Sequence, residues 1–200
     1  RLSEEVHPLL MTRGVPGTHD VKLGLEIINS LRNADKNTVT MIPRFNKAID
    51  DVYPKSEWTK FVGKPDVVLI DGWCIDATAQ EDSELITPVN ELEATEDKDC
   101  VWRRYVNDQL KTTYKDLFDT INFLVMLQIP SYDKVFEWRN LQEEKLRIKN
   151  QGKEATHIMT PDQVRRFIAH YERITRHILA EMPERADMLF KVNDNHRLYI

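Results

Sequence analysis

Apolar positions along the chain fall into two kinds of pattern, continuous short runs and three-to-four-residue periods, and their alternation is the first thing the sequence shows. From Asp20 to Leu31, the residues Val21, Leu23, Leu25, Ile27, Ile28 and Leu31 give a helical spacing that opens on His19-Asp20, so a helix is predicted there. Residues 38–42 are short, β-branched and stopped by Pro43, which suits an extended segment. Val67-Val68-Leu69-Ile70, between Pro65-Asp66 and Asp71-Gly72, is an uninterrupted apolar run of the kind buried on both faces of a parallel sheet. Residues 81–100 are dense in Asp and Glu around Pro88 and read as a solvated connection with one short helix near Val89–Leu92.

Past that connection, Trp102 to Asp119 reads as one helix, with Tyr105, Val106, Leu110, Tyr114, Leu117 and Phe118 on its apolar period. Residues 123–127 are a second buried strand. Pro130-Ser131 then starts an amphipathic helix through Val135, Trp138, Leu141 and Leu146. After a break at Gln151-Gly152-Lys153, Thr160-Pro161-Asp162 opens a long helix that runs to about Glu181. Residues 188–192 and 196–200 close the chain as short strands joined by Asn193-Asp194-Asn195. Buried strands alternating with helices predict an α/β fold with a mainly parallel sheet, arranged as one domain over residues 1–200.

Composition narrows the function classes. Apolar residues make up 41%, enough for a real core, and 33 acidic against 28 basic residues leave a net charge of −5, which offers no field for a nucleic-acid backbone. No apolar run nears the roughly 20 residues that span a bilayer, and the expectation is a soluble, cytoplasmic protein without nucleic-acid or membrane partners. Cys74 and Cys100 lie far apart without zinc spacing and read as reduced thiols, and His7, His157, His170, His177 and His196 show no metal spacing. Trp58, Trp73, Trp102 and Trp138 read as packing residues. The chain begins on Arg1 and looks like a piece of a longer one.

Candidate chemistry concentrates in three places. Arg13-Gly14-Val15-Pro16-Gly17-Thr18-His19-Asp20 precedes a helix, and it is either a capped helix entry or a ligand loop whose glycines allow close approach while Arg13 or His19 holds an anion. Asp71 follows the 67–70 run, where the carboxyl end of a parallel strand faces the ligand crevice; the alternative is a simple turn. Arg103, Arg104, Arg139 and Arg147 sit on predicted helices, where arginines usually form surface ion pairs, although Arg139 is placed to reach a transferring phosphoryl group.

These residues, with several others in the same order, resemble the glycerate 3-kinase-like family of P-loop kinases, relatives of the uridine and pantothenate kinases. Residues 13–20 are similar to its Arg-Gly-x-Pro-Gly-Thr-His-Asp signature, Pro43-Arg44-Phe45-Asn46-Lys47 to its Pro-x-Tyr/Phe-Asp-Lys segment, and residues 66–74 to its strand ending in Glu-Gly-Trp. Further matching blocks are Pro88-Val89-Asn90-x-Leu92-Glu93, Trp102-Arg103-x-Tyr105-Val106-Asn107 and Val135-x-x-Trp138-Arg139-x-x-Gln142-Glu143. The resemblance implies a P-loop kinase fold and phosphoryl transfer from MgATP to a hydroxyl of a small acid such as D-glycerate. It implies that Arg13, Gly14, Gly17, Thr18, His19, Asp20 and Lys47 bind the acceptor, that Asp71 and Arg139 are catalytic, that Arg103, Arg139 and Gln142 belong to a nucleotide-covering lid, and that ATP and Mg²⁺ are the cofactors.

The sequence departs from the family in several ways. No Gly-x-x-x-x-Gly-Lys-Ser/Thr loop occurs in the 200 residues, so the sheet should lack its N-terminal strands, the phosphate-loop strand included. Asp71 stands where relatives often have Glu, Asn46 where they have Asp and Val52 where they have Arg, which leaves the acceptor open. The competing reading is a non-catalytic binding or regulatory module without a phosphate loop.

Overall fold

The computed structural model describes residues 1–46, 51–149 and 158–199. In chain order its elements are α1 (Leu2–Glu5), α2 (Val21–Arg32), β1 (Val39–Ile42), β2 (Phe45–Asn46), β3 (Asp51–Val52), β4 (Thr59–Val62), α3 (Glu91–Glu96), α4 (Val101–Lys111), α5 (Thr113–Phe118), β5 (Val125–Gln128), α6 (Asp133–Lys149), α7 (Pro161–Ala169), α8 (Glu172–Glu181), β6 (Met188–Val192) and β7 (Leu198–Tyr199). They group into two compact units, residues 20–75 and residues 1–19 with 76–200.

In the 20–75 unit, Asp20 caps α2 by accepting from the Leu23 amide at 2.9 Å, the role that the helix-entry reading assigns to an acidic residue there. β1 pairs antiparallel with β4, Val39 opposite Val62 and Ile42 opposite Thr59, and the Ser30 and Thr40 hydroxyls, 3.0 Å apart, tie α2 to β1. The turn between them is knotted by Asp35, whose Oδ1 accepts from the amides of Asn37 and Thr38 and from the Thr38 hydroxyl. β4 escaped sequence reading because Thr-Lys-Phe-Val lacks a bounded apolar run.

The predicted buried strand at 67–70 is not formed. These residues join no ladder, and Val67 and Leu69 are exposed at 80% and 88%. A run apolar on both faces needs a strand at each edge, and among the described residues none pairs with it. The sheet is likewise not mainly parallel: among the described residues the parallel pair is β5 with β6, in register Val125 to Met188, and the other ladders are antiparallel. β6 and β7 form the expected hairpin around residues 193–195.

Two helices predicted as continuous are broken. α4 and α5 part at Thr112, whose hydroxyl bonds back to the Asp108 carbonyl at 2.7 Å, a contact that bends helices. α7 and α8 part at His170, whose Nδ1 lies 3.0 Å from the Arg166 carbonyl and 3.2 Å from that of Phe167; since carbonyls only accept, this nitrogen carries the proton. The first pair still buries most of its predicted stripe, with Val106, Leu110, Tyr114 and Phe118 in the core and Tyr105 and Leu117 half-buried; in the second, Val164, Ile168, Ile174 and Ile178 are buried. α6 is the exception: Leu141 and Leu146 are exposed, and its buried residue is Glu143.

The acidic stretch at 81–100 is not simply a solvated connection. Glu93 and Asp97 are buried at 0% and 2%, because two arginines neutralise them. Arg173 grips Glu93 with two bonds of 2.6 and 2.8 Å, and Arg103 meets Asp97 at 3.2 Å. The same guanidinium groups donate to four successive carbonyls, Arg173 to those of Glu84 and Thr87, Arg103 to those of Leu85 and Ile86. The 84–87 strap is thus held from both sides through its backbone.

Candidate functional site

The loop at residues 13–19 is built against three tyrosines. Val15 and Pro16 are fully buried, and the Thr18 hydroxyl donates to the Val15 carbonyl at 2.7 Å while accepting from the Gly14 amide at 2.8 Å, so the loop is latched on itself. Gly14 and Gly17 have φ of 121° and 96°. A Cβ on Gly17 would stand 2.6 Å from a ring carbon of Tyr105, and one on Gly14 would stand 2.9 Å from the Tyr171 hydroxyl. Both glycines are therefore required by approach of the loop to aromatic side chains, whatever else they allow. Tyr171 donates to the Arg13 carbonyl at 2.9 Å, and the Tyr114 oxygen accepts the Gly17 amide at 3.0 Å and lies 2.6 Å from His19 Nδ1.

This packing leaves Arg13 and His19 at the surface of the loop. The protein crowding one side of the His19 ring, and after it the Arg13 charge, hold the imidazole below its ordinary value, so it is neutral at physiological pH. One exposed loop thus carries a permanent cation and an uncharged ring, residue types that suit a small carboxylate.

The other predicted residues are placed differently. Asp20 is spent as the α2 cap. Asp71 is exposed and follows no strand, so it does not occupy the strand-end position expected of it. Arg103 is 3% exposed with its guanidinium nitrogens bonded to carbonyls, Asp97 and the Cys100 thiol, which removes it from any phosphate-covering lid. Arg139 pairs with Glu143 of its own helix at 2.6 Å, bonds to Gln142 and stacks over Phe167, while Glu143 accepts the Met159 amide. Arg139 and Gln142 thus come together on α6 as an anchor for the residues leading into α7. Lys47 lies outside the described residues, as does His157.

Tyr105, Tyr114, Tyr171, Glu93, Asp97 and Arg173 were not foreseen. Tyr105 and Tyr114 do lie on the predicted apolar period, but a period marks only burial and cannot say that a hydroxyl meets a loop some ninety-five positions away. Among the described residues, no group of three or more His, Cys, Asp or Glu is placed to hold a metal ion, and no helix is long and apolar enough to cross a membrane.

No family model matches the chain. It is 27% identical over 191 residues to the chloroplastic D-glycerate 3-kinase of Arabidopsis thaliana, a match covering 90% of this chain and 38% of that protein. It is 28% identical over 176 residues to the Saccharomyces cerevisiae protein named Probable ATP-dependent kinase TDA10, covering 82% of this chain and 54% of that one. The chain's homologues are D-glycerate 3-kinase and related ATP-dependent kinases. The chain spans little more than half of the length of these curated kinase relatives, or less. In fold it is similar to the solved D-glycerate 3-kinase of Cryptococcus neoformans, with a TM-score of 0.73 over 99% of this chain and 71% of that one at 24% identity. The glycerate 3-kinase fold is therefore present across almost all of residues 1–200.

Proposed function

We propose that the complete protein is an ATP-dependent kinase that transfers a phosphoryl group to a hydroxyl of a small acid such as D-glycerate, with Arg13 and His19 receiving the acceptor. The observation that carries this reading is the latched loop: Tyr114 and Tyr171 bond to a seven-residue segment, packed also against Tyr105, whose Arg13 and His19 are both exposed. Kinase homologues along the whole chain support the reaction class. The loop fixes the acceptor before reaction, and a pre-ordered site lowers the entropic cost of bringing hydroxyl and phosphate into line.

Residues 1–200 do not themselves fit the phosphates of MgATP. No Gly-x-x-x-x-Gly-Lys-Ser/Thr sequence occurs in them, and Arg103 is consumed in the interior. Cradling of the nucleotide accordingly falls, in this reading, to parts of the complete protein outside these residues.

The second reading is a kinase-like binding or regulatory module, which the lack of that sequence in residues 1–200 motivates. Assaying ATP-dependent phosphorylation of a panel of small hydroxy acids, with the complete protein beside the 200-residue chain, separates the two. The expected outcome is turnover by the complete protein and none by the chain alone. In the complete protein, Arg13→Ala is expected to raise the acceptor KM about tenfold or more while leaving nucleotide affinity nearly unchanged. A folded complete protein that phosphorylates none of the acids would transfer the case to the second reading.

A further inference from the structure

The core face of α5 brings one buried hydroxyl, that of Tyr114, to both the backbone and the imidazole of the 13–19 loop. We propose that Tyr114 is a positioning residue that fixes the tautomer of His19, so that the loop offers an uncharged Nε2–H to an oxygen of the acceptor. The first part stands on geometry alone; the second rests on the reading of this loop as the acceptor site.

An amide N–H can only donate, so at 3.0 Å from the Gly17 nitrogen the Tyr114 oxygen is the acceptor. Its contact with His19 Nδ1 at 2.6 Å is shorter than the roughly 2.7–3.2 Å of an N–H donor to oxygen and within the range of a hydroxyl donor, and on that distance the phenol proton is assigned to the ring nitrogen. A ring whose Nδ1 accepts carries its proton on Nε2. Tyr114 is 3% exposed, and its ring is braced edge-on by Phe118 at 5.8 Å and meets the His19 ring edge-on at 6.0 Å, which restricts reorientation of the phenol. Among the described residues, Tyr114 on α5 meets the imidazole and the charge of Arg13 on the loop opposes its protonation. Gly17 in turn is pressed against Tyr105 of α4, so the amide that orients Tyr114 is itself fixed.

Division of labour follows. Arg13 supplies charge for a carboxylate, and the Nε2–H supplies one directional donor that rewards an oxygen beside that carboxylate and gives nothing to an acid that lacks it. A neutral donor also avoids a second cation, whose like charge would compete with Arg13 for hydration and position.

Imidazole nitrogen NMR on the complete protein, labelled with ¹⁵N histidine, tests the tautomer directly. The expected spectrum has His19 Nδ1 in the pyridine-like region and Nε2 in the pyrrole-like region at neutral pH. Tyr114→Phe keeps the buried ring and removes the donor, and it should leave a mixture of tautomers. A pyrrole-like Nδ1 in the unsubstituted protein, or a tautomer ratio unmoved by Tyr114→Phe, overturns the proposal. Should the variant fail to fold, the spectrum of the unsubstituted protein decides alone. Kinetics of the complete protein test the acceptor half: Tyr114→Phe and His19→Ala should each raise the acceptor KM roughly 2- to 12-fold, the worth of one hydrogen bond, with a smaller change in kcat. A confirmed tautomer with an unchanged acceptor KM would keep Tyr114 as the positioning residue and remove the loop from the acceptor site.

Discussion

Glycine at position 17 is set by a neighbour as much as by its backbone. Gly17 and Gly63 share positive φ, 96° and 101°, but a Cβ on Gly17 meets Tyr105 at 2.6 Å and Gln109 at 2.9 Å, whereas one on Gly63 finds nothing closer than the Lys36 carbonyl at 3.8 Å. Gly63→Ala should therefore cost only the conformational strain, roughly 1–3 kcal/mol. Gly17→Ala should add a clash to that strain, a further 1–3 kcal/mol or so, because Tyr105 has to leave its place. Urea unfolding of the two variants gives the comparison, and equal losses would mean that the tyrosine packing does not demand the glycine. Asp20 is the counter-case among the loop residues. Its carboxylate has a complete account as a helix cap, worth about 1 kcal/mol, and that account requires no ligand.

At the scale of elements, the buried ion pairs between α3 and α8 and at the start of α4 decide how residues 76–100 are held. Removing Arg173 alone strands Glu93 in the interior, so Arg173→Met should destabilise the protein by about 3–5 kcal/mol. Arg176→Ala, which breaks a pair whose arginine is half exposed, should change stability by less than about 1 kcal/mol. Chemical denaturation distinguishes these, and a small loss at Arg173 would show that water reaches Glu93. The same pairs explain what the sequence kept hidden. Charge density in 81–100 suggested solvent because a run of acidic residues does not show that Glu93 faces an arginine eighty positions away and Asp97 one six positions away. Helical periods were legible, since Trp102, Val106, Leu110 and Tyr114 bury as their spacing requires, while the interruptions at Thr112 and His170 arise from side chains that bond to carbonyls of their own helix. The 67–70 run was legible as apolar, but whether it forms a strand is decided by the neighbours available to it. Of the candidate site, the loop motif was readable residue by residue; the tyrosines that give it shape come from helices far along the chain.

For the whole molecule, acid sensitivity should begin near neutrality. His170 is 5% exposed, and burial, with the Arg166 charge, holds its imidazole below the ordinary 6.5 despite bonds to the Arg166 and Phe167 carbonyls and the charge of Glu96. Between the folded and unfolded values the unfolded chain binds more protons, so stability rises with pH in that interval and is lost as pH falls below 6.5. The carboxylates held below their ordinary range, Glu84 and Glu96 among them, withdraw their contribution only at more acidic pH. Thermal midpoints recorded from about pH 8 to about pH 5.5 should fall for the unsubstituted chain and fall less for His170→Gln. Parallel slopes for the two would assign the early loss to another group.

The strap at 84–87 has a consequence for how this molecule can change over generations. Four of its carbonyls are gripped by Arg103 and Arg173, and a carbonyl is the one group that every amino acid supplies alike. Leu85 alone sends its side chain into the core, at 1% exposure, whereas residues 84, 86 and 87 face solvent. Positions 86 and 87 are therefore free to drift without loosening the strap, whereas Glu84 also accepts the Glu81 amide through its carboxylate; the identity of the segment is stored far away, in two guanidinium groups that have no substitute of the same shape.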